Sequence, residues 1–298
     1  MRLKRRQAYG VPKNWSKREE NLLLNHLRTD TLDIKYLKAL FPKRSLPSIR
    51  SKVRKLRIKY DLFGESYRGD KGAFTTKIAK KVKPKIVFEA YAGAGHQTFR
   101  WTDYANKVYA CELMKSKFIQ FTISAKKNGY SKLAKKGNWD HFKKGKKSVY
   151  FFSGDVIAAA AELHVKKVNI DTVDLDTCGS TLLTLPTILT LLKPRYFAIT
   201  HGEFHSMRFQ RQDVLRRLLV HRDIRENPLP LDVDELSNEL DKAVKVAAFR
   251  AHNETKDSFW PILKGTTWLG NRFHGMLRRY YKLEKPRATS DCINKISK

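Results

Sequence analysis

Five short apolar runs, rich in β-branched and aromatic residues, alternate with amphipathic segments in the middle of this chain. The runs occupy residues 85–89, 108–112, 149–152, 172–176 and 196–200. Runs of this length are typical of buried strands, and the segments between them are long enough for crossover helices. The spacing therefore predicts an α/β domain whose strands form a mostly parallel sheet.

Polar residues stand where several of these runs end, and ligands bind at the carboxyl ends of parallel strands. The first run continues into the segment Glu89-Ala-Tyr-Ala-Gly93-Ala-Gly95-His96, the second ends at Glu112, and the third is followed by Asp155. Glycine has no Cβ and tolerates positive φ, so the first of these turns allows close approach of the backbone to a ligand. The pattern favours a nucleotide-like cofactor.

A dinucleotide is one such cofactor, but its usual turn is Gly-x-Gly-x-x-Gly. Thr98 occupies the position of the third glycine here, and no pyrophosphate site is evident. The sequence therefore argues against a nicotinamide-dependent oxidoreductase.

The order of these signals resembles that of the class I S-adenosylmethionine-dependent methyltransferases, over roughly residues 70–200 with strand-like segments to about 283. The resemblance implies a Rossmann-like α/β fold and S-adenosylmethionine as cofactor. In it Glu112 would hold the ribose hydroxyls and Asp155 the adenine amine. The residues implied around the cofactor are Glu89, Tyr91, Gly93, Gly95, Glu112 and Asp155.

The fourth run leads into Asp174-Leu-Asp176-Thr-Cys178-Gly-Ser180. This segment resembles the Asp-x-Asp-Pro-aromatic-Gly-Ser motif of the tRNA N2-guanine dimethyltransferase family. The resemblance implies transfer of a methyl group to an exocyclic nitrogen of a base, with Asp176 accepting a hydrogen bond from the amine and Asp174 supporting it. Catalytic candidates are therefore Asp174, Asp176 and Cys178.

Two departures from the motif leave alternatives open. Thr177 replaces the proline and Cys178 replaces the aromatic residue, so another ring, such as Phe204 or Tyr91, must hold the base. Cys178 can instead be read as a nucleophile, as in the cytosine C5-methyltransferases. A protein that keeps the fold and binds nucleic acid without catalysis is the remaining alternative.

The net charge points to a polyanionic partner. The chain has 61 Lys and Arg against 29 Asp and Glu, a net charge of +32. Such a surface repels itself unless it meets a polyanion, and nucleic acid is the commonest. Residues 126–147 interleave lysines with aromatic residues, which suits substrate contact through Lys135, Lys136 and Trp139, or else a solvated loop.

The first 62 residues read as a separate basic domain of three short helices, followed by the α/β domain over residues 63–298. A capping box opens the first helix at Ser16 and Glu19. The segments 15–20 and 46–52 resemble Myb/SANT-like helix-turn-helix modules, which implies duplex DNA binding; a helical cap with a solvated basic face is the alternative. The candidate contacts are Arg50, Arg54, Lys55 and Arg57. The choice between DNA and tRNA stays open.

Cysteine and histidine spacing points to neither a disulfide framework nor a metal site. The three cysteines are scattered, and His201, Glu203 and His205 alternate along one segment, where we expect them to line the substrate cleft. No apolar stretch approaches the length of a membrane span, so we expect a cytoplasmic protein.

Overall fold

A computed structural model describes residues 14–28, 34–60, 68–177, 179–208, 212–219, 232–255, 260–270 and 276–284. The chain forms two compact units, Met1–Ser66 and Tyr67–Lys298. The boundary that the sequence predicts, between residues 62 and 63, lies four residues earlier than the boundary between the units.

The first unit contains α1 (Lys17–Arg28), α2 (Ile34–Leu40) and α3 (Leu46–Tyr60). Leucine, isoleucine and valine side chains from the three helices pack together in a small core. The predicted capping box is present: the Glu19 amide donates to Ser16 Oγ at 3.2 Å, and the Ser16 amide donates to Glu19 Oε2 at 2.8 Å. Each side chain therefore satisfies a backbone donor that the first turn leaves unpaired.

Glu19 also holds the helices together through Arg44. Arg44 donates from Nε to Oε1 at 2.9 Å and from Nη2 to Oε2 at 2.8 Å, and its guanidinium lies 4.8 Å from the ring centre of Trp15. The hydrogen bonds from Arg44 are the main reason that the pKa of Glu19 falls to about 2. A two-pronged bond of this kind fixes direction as well as distance, so it sets how the α2–α3 turn meets α1.

The second unit is built on one sheet, which has nine strands among the described residues. The strands are β1 (Ile86–Ala90), β2 (Lys107–Glu112), β3 (Ser131–Lys136), β4 (Trp139–Lys144), β5 (Lys147–Ser153), β6 (Thr172–Leu175), β7 (Tyr196–His201), β8 (Trp260–Leu269) and β9 (Met276–Glu284). Its helices are α4 (Arg68–Val82), α5 (His96–Trp101), α6 (Lys115–Lys127), α7 (Val156–Val165), α8 (Leu185–Leu192), α9 (Glu203–Arg208), α10 (Gln212–Leu218) and α11 (Val233–Thr255).

The strand order is β3-β4-β5-β2-β1-β6-β7-β9-β8. The five strands predicted from the apolar runs are β1, β2, β5, β6 and β7, and they pair in parallel with one another. Strand β9 enters antiparallel between β7 and β8. The order reverses between β1 and β6, and a reversal of this kind opens a crevice at the carboxyl ends of the two strands.

Helices cover both faces of the sheet because each face carries apolar side chains. Residues of α7, α8 and α11 contribute to one core cluster, and residues of α4, α5 and α6 contribute to the other. Within the described ranges, none of the helices combines the length and apolar character needed to cross a lipid bilayer.

The lysine-rich segment 126–147 is a hairpin of β3 and β4 that widens the sheet, rather than a solvated loop. The prediction that Trp139 stacks on nucleic acid is wrong, because its side chain is only 2% exposed and its Nε1 donates to Glu162 at 3.0 Å. Pairing of β4 with β5 turns this ring into the core. Lys135 and Lys136 lie exposed on β3.

The turn after β1 makes a stability prediction. Gly95 has φ of +85°, and a Cβ there would lie 2.7 Å from the ring of Phe121; Gly145 has φ of +53° with nothing within 4 Å. We expect Gly95→Ala to cost about 3 kcal/mol of unfolding free energy, from left-handed strain and overpacking together. Gly145→Ala should cost about 1 kcal/mol, from strain alone. Urea unfolding measures both, and equal losses would contradict the packing argument.

Candidate active site

The turn between β1 and α5 has an unusual backbone. Tyr91, Gly93 and Gly95 adopt φ values of +65°, +54° and +85°. A tyrosine rarely adopts positive φ, and such strain persists only where the surrounding structure enforces it. The Tyr91 hydroxyl lies 3.4 Å from Thr184 Oγ1, which links the turn to the segment that follows β6.

Glu112 fixes this turn from the neighbouring strand. Its Oε2 accepts the Gly93 amide at 3.0 Å, and its Oε1 accepts the Met114 amide at 2.9 Å. A carboxylate has about four acceptor positions, so capacity remains for the hydroxyls of a ligand. The structure therefore gives Glu112 a role in shaping the turn, in addition to the predicted ligand contact.

Asp155 lies at the carboxyl end of β5, where it caps α7. Its Oδ1 accepts the amides of Ile157 at 2.7 Å and Ala158 at 3.3 Å. The side chain is exposed, and neither capping bond uses Oδ2. The second oxygen is therefore positioned to accept a hydrogen bond from a ligand.

Acidic side chains thus end three adjacent strands of a strongly basic protein. Glu89 is buried at the end of β1, Glu112 ends β2, and Asp155 follows β5. Carboxylates accept hydrogen bonds and attract cations, whereas a pyrophosphate needs N–H donors and positive charge. These acceptors suit a ligand that presents hydroxyls, an amine and a positive charge.

Asp174 is completely buried in a hydrogen-bonded network. Arg278 Nη2 donates to both of its carboxylate oxygens at 2.8 Å, and Trp101 Nε1 donates at 2.7 Å. Asp174 has no exposure, and both of its carboxylate oxygens already accept hydrogen bonds from Arg278 or Trp101. Asp174 therefore orients Arg278, and its support of catalysis, predicted from the motif, would be indirect.

Asp176 lies two residues further along in the same network, and its side chain is 4% exposed. Its Oδ1 is 2.8 Å from Lys71 Nζ, accepts the Thr200 hydroxyl at 2.7 Å, and is 3.6 Å from Arg278 Nη1. Arg278 Nη1 in turn donates to Thr200 Oγ1 at 2.6 Å. All of these contacts use Oδ1, and among the described residues Oδ2 makes no such contact.

The two aspartates have opposite pKa shifts. Burial raises the pKa of Asp174, although Arg278 opposes the rise. Burial would also raise the pKa of Asp176, but the charges of Arg278 and Lys71 and the hydrogen bonds from Lys71 and Thr200 outweigh it, so the pKa of Asp176 is lowered. The lowered pKa keeps the Asp176 carboxylate ionised at neutral pH, which is the form that accepts hydrogen bonds.

Two hydrogen bonds position Thr177 and Gly179 without the proline of the related motif. Thr177 Oγ1 accepts the Gly179 amide at 3.1 Å, and the Gly179 carbonyl accepts the Gly202 amide at 3.2 Å. A side-chain turn of this type restricts the backbone much as a tight turn does. Cys178 lies outside the described residues, so its proposed nucleophilic role has no structural test.

Other predicted contacts fall in different places. Phe204 is buried against Trp268, with ring centres 5.0 Å apart, so Tyr91 is the more accessible of the two candidate rings. Arg50 and Lys55 are exposed on α3. The side chains of Arg54, Arg57 and His205 lie outside the described residues.

Sequence reasoning missed Lys71, Trp101, Thr200 and Arg278, which complete the network. They come from α4, α5, β7 and β9, so no local motif joins them. One signal was available: Arg278 lies at a core-facing position of a strand, where an unpaired charge would be very costly. A charge in such a position indicates a buried partner.

Comparison with known proteins gives a fold and no family. No protein-family model matches the chain, and no curated protein matches it in sequence. Trm1 from Pyrococcus horikoshii, in complex with S-adenosyl-L-methionine, aligns with 16% identity and a TM-score of 0.55, covering 74% of this chain and 57% of that one. With the strand order, this likeness shows the class I methyltransferase fold.

Two further solved structures align more weakly. Trm5b from Pyrococcus abyssi has 10% identity and a TM-score of 0.42, covering 71% of this chain and 48% of its own. The tRNA m1G37 methyltransferase of M. jannaschii has 12% identity and a TM-score of 0.40, covering 72% and 49%. This chain thus aligns with little more than half of Trm1 and about half of each of these two proteins.

The buried network predicts a contrast between adjacent arginines of β9. Arg278→Met leaves two buried aspartates without their shared cation, and we expect it to lower the unfolding free energy by about 3–5 kcal/mol. Arg279→Met removes bonds to Ser237 at 2.7 Å and, among the described residues, no carboxylate contact, so it should cost about 1–2 kcal/mol. Urea unfolding compares them. If Arg278→Met costs no more than Arg279→Met, the network is not the main restraint on β9.

Proposed function

We propose that this protein is an S-adenosylmethionine-dependent methyltransferase that acts on an exocyclic nitrogen of a base in nucleic acid. The observation that carries the proposal is Asp176, a carboxylate kept ionised by Lys71 and Arg278 at the carboxyl end of β6. Asp176 stands in a fold shared with class I methyltransferases. Three other acids, Glu89, Glu112 and Asp155, lie where β1, β2 and β5 end at the same edge of the sheet.

The cofactor site would use the residues at the ends of β1, β2 and β5. S-adenosylmethionine supplies an electrophilic methyl group on a positively charged sulfonium. Glu112 would accept the ribose hydroxyls, Asp155 Oδ2 the adenine amine, and the turn at Gly93 and Gly95 would lie against the methionine portion. Glu89 adds negative charge at the same edge. The carboxylate acceptors at the ends of β1, β2 and β5 fit the hydroxyls, the amine and the positive charge of this cofactor.

Asp176 would orient the acceptor amine. A methyl–nitrogen bond would form as the methyl–sulfur bond breaks, the sulfur would leave as a neutral thioether, and the nitrogen would lose a proton. A carboxylate whose pKa is lowered is a weak base, so Asp176 contributes alignment through Oδ2 and the proton passes on to water. Alignment of reacting groups can account for a large part of an enzyme's acceleration. The turn at Thr177 and Gly179 would hold the adjacent backbone in place.

The nucleic acid would be held by basic surface on both units. Exposed lysines lie along β3, and Arg50 and Lys55 lie exposed on α3. The net charge of +32 supports a polyanionic substrate. We propose that the first unit acts as a helix-turn-helix module that binds the substrate. The Asp-x-Asp-x-x-Gly-Ser likeness favours tRNA, and the Myb/SANT likeness favours DNA.

Two measurements test the function. Isothermal titration with S-adenosylmethionine should show one site on the full chain. Transfer of radiolabelled methyl to unmodified DNA and to unmodified tRNA, followed by nucleoside analysis, should give one methylated base. No cofactor binding by the folded protein would instead support a nucleic-acid-binding protein without catalysis.

Asp176 provides the first test by substitution. Asp176→Asn keeps the size of the side chain but loses its charge, so the amine is no longer oriented. We expect at least a 100-fold loss of methyl transfer, with cofactor affinity near that of the wild type. Asp103→Asn, at an exposed residue after α5, is the matched control and should retain full activity. Full activity in Asp176→Asn would remove the proposed role.

Lys71 makes a prediction about pH. In the wild type the pKa of Asp176 is lowered, so activity that depends on its charge should persist down to pH values below about 4, the ordinary range for aspartate. Lys71→Met removes one of the charges that lower the pKa of Asp176. That pKa should therefore rise, and the acidic limb of the profile of kcat against pH should move to higher pH. Lys71→Arg should restore the wild-type limb. Identical profiles for all three proteins would contradict the argument.

A further inference from the structure

His201 and Glu203 are two buried polar residues that the network around Asp176 does not include. They lie at the end of β7 and the start of α9, and their exposed fractions are 0% and 1%. His201 Nδ1 and Glu203 Oε2 are 3.5 Å apart. Among the described residues, neither ring nitrogen and neither carboxylate oxygen has a hydrogen-bond partner.

This arrangement costs stability. Buried polar atoms almost always have a hydrogen-bond partner, and one that lacks a partner has lost its water without replacement. The adjacent residue shows the contrast, because Thr200 both donates to Asp176 and accepts from Arg278. Neighbouring residues of β7 therefore differ. The Thr200 hydroxyl has hydrogen-bond partners, whereas the His201 ring nitrogens have none among the described residues. Unsatisfied groups of this kind are often retained for function.

Their position connects them to the candidate active site. The amide of Gly202, between the two residues, donates to the Gly179 carbonyl in the loop that follows Asp176. Thr200, which bonds Asp176, is three residues from Glu203, so their Cα atoms are separated by no more than about 11 Å. The pair thus lies at the same edge of the sheet as the acceptor carboxylate.

The chemistry of the pair narrows the ligand. Within the described part of the chain, no cluster of three or more His, Cys, Asp or Glu side chains is arranged to hold a metal ion. A carboxylate offers acceptors only, and a neutral imidazole offers one donor and one acceptor. Together they complement an exocyclic amine, with its two N–H donors, beside a ring nitrogen or carbonyl oxygen. The edge of an amine-bearing nucleobase has this pattern.

We propose that His201 and Glu203 form the subsite that binds the edge of the acceptor base. The inference rests on the proposed function and adds to it the residues that read the base. Glu203 accepts N–H groups of the base, and the imidazole of His201 donates to its neighbouring acceptor. The base must move α9 or its surroundings to reach the pair, and it then supplies the missing partners. A site of this kind rejects ligands that lack the matching donors by up to about 10⁴-fold.

The first test compares stability with activity. Glu203→Met removes the unsatisfied carboxylate at similar length, so we expect the Tm of the full chain to rise by about 2–5 °C. Methyl transfer should fall at least 100-fold, with cofactor affinity unchanged. Glu203→Gln, which replaces one acceptor by a donor, should lose activity in the same way. Glu162→Met is the matched control: Glu162 accepts bonds from Asn138, Trp139 and Lys166, so its loss should lower the Tm and leave methyl transfer unchanged.

The second test measures binding without catalysis. In protein labelled with ¹⁵N-histidine, the His201 signal is assigned by its absence from His201→Gln. We expect AMP, CMP or GMP to shift that signal, UMP to shift it much less, and Glu203→Gln to abolish the shift. This readout does not require methyl transfer. A shift in a protein that fails to bind S-adenosylmethionine would refute the proposed function and keep the subsite.

Three outcomes overturn the inference. One is a fall in Tm for Glu203→Met like that of the Glu162→Met control, since this would show that the carboxylate has a structural partner. Another is a His201 signal that none of the four nucleotides moves. Full methyl transfer by Glu203→Gln would also remove the subsite while leaving the methyltransferase proposal intact.

Discussion

The guanidinium of Arg278 is the group on which much of the second unit depends. It lies on β9 and bonds Asp174 on β6 and Thr200 on β7, while Trp101 of α5 reaches the same carboxylate. One cation thus joins three strands and a helix. Burying it is costly, and a well-packed apolar side chain would often be as stable. What an apolar side chain would not provide is the lowered pKa of Asp176.

The same network separates two acids that look equivalent in the motif. Asp174 is fully enclosed and acts on the position of Arg278. In Asp176, two residues further along, Oδ1 contacts Lys71 and Thr200, and Oδ2 makes no such contact among the described residues. Their side chains lie on the same face of the sheet because every second side chain of an extended segment points to the same face. Position along the chain, rather than residue type, decides which of the two acids is fully enclosed.

Local pattern was sufficient for the central strands and for the capping box of α1. The apolar runs have the period and length of buried strands, and both features are properties of adjacent residues. The lysine-rich hairpin was not predictable in this way. Whether Trp139 faces water or core depends on the register of β4 against β5, and shifting that register by one residue would turn its ring to the opposite face of the sheet.

The sequence alone determined the α/β class, the five parallel strands, the basic charge and the acids that follow successive strands. Each of these follows from composition or from short-range periodicity. The tertiary structure alone decided the environment of those acids. Lys71 and Arg278 are separated by more than 200 residues, yet both contact Asp176 because α4 and β9 meet at one edge of the sheet. It also buried His201 and Glu203 with no hydrogen-bond partner among the described residues. Burial and pairing are properties of the assembled sheet, and pKa depends on both.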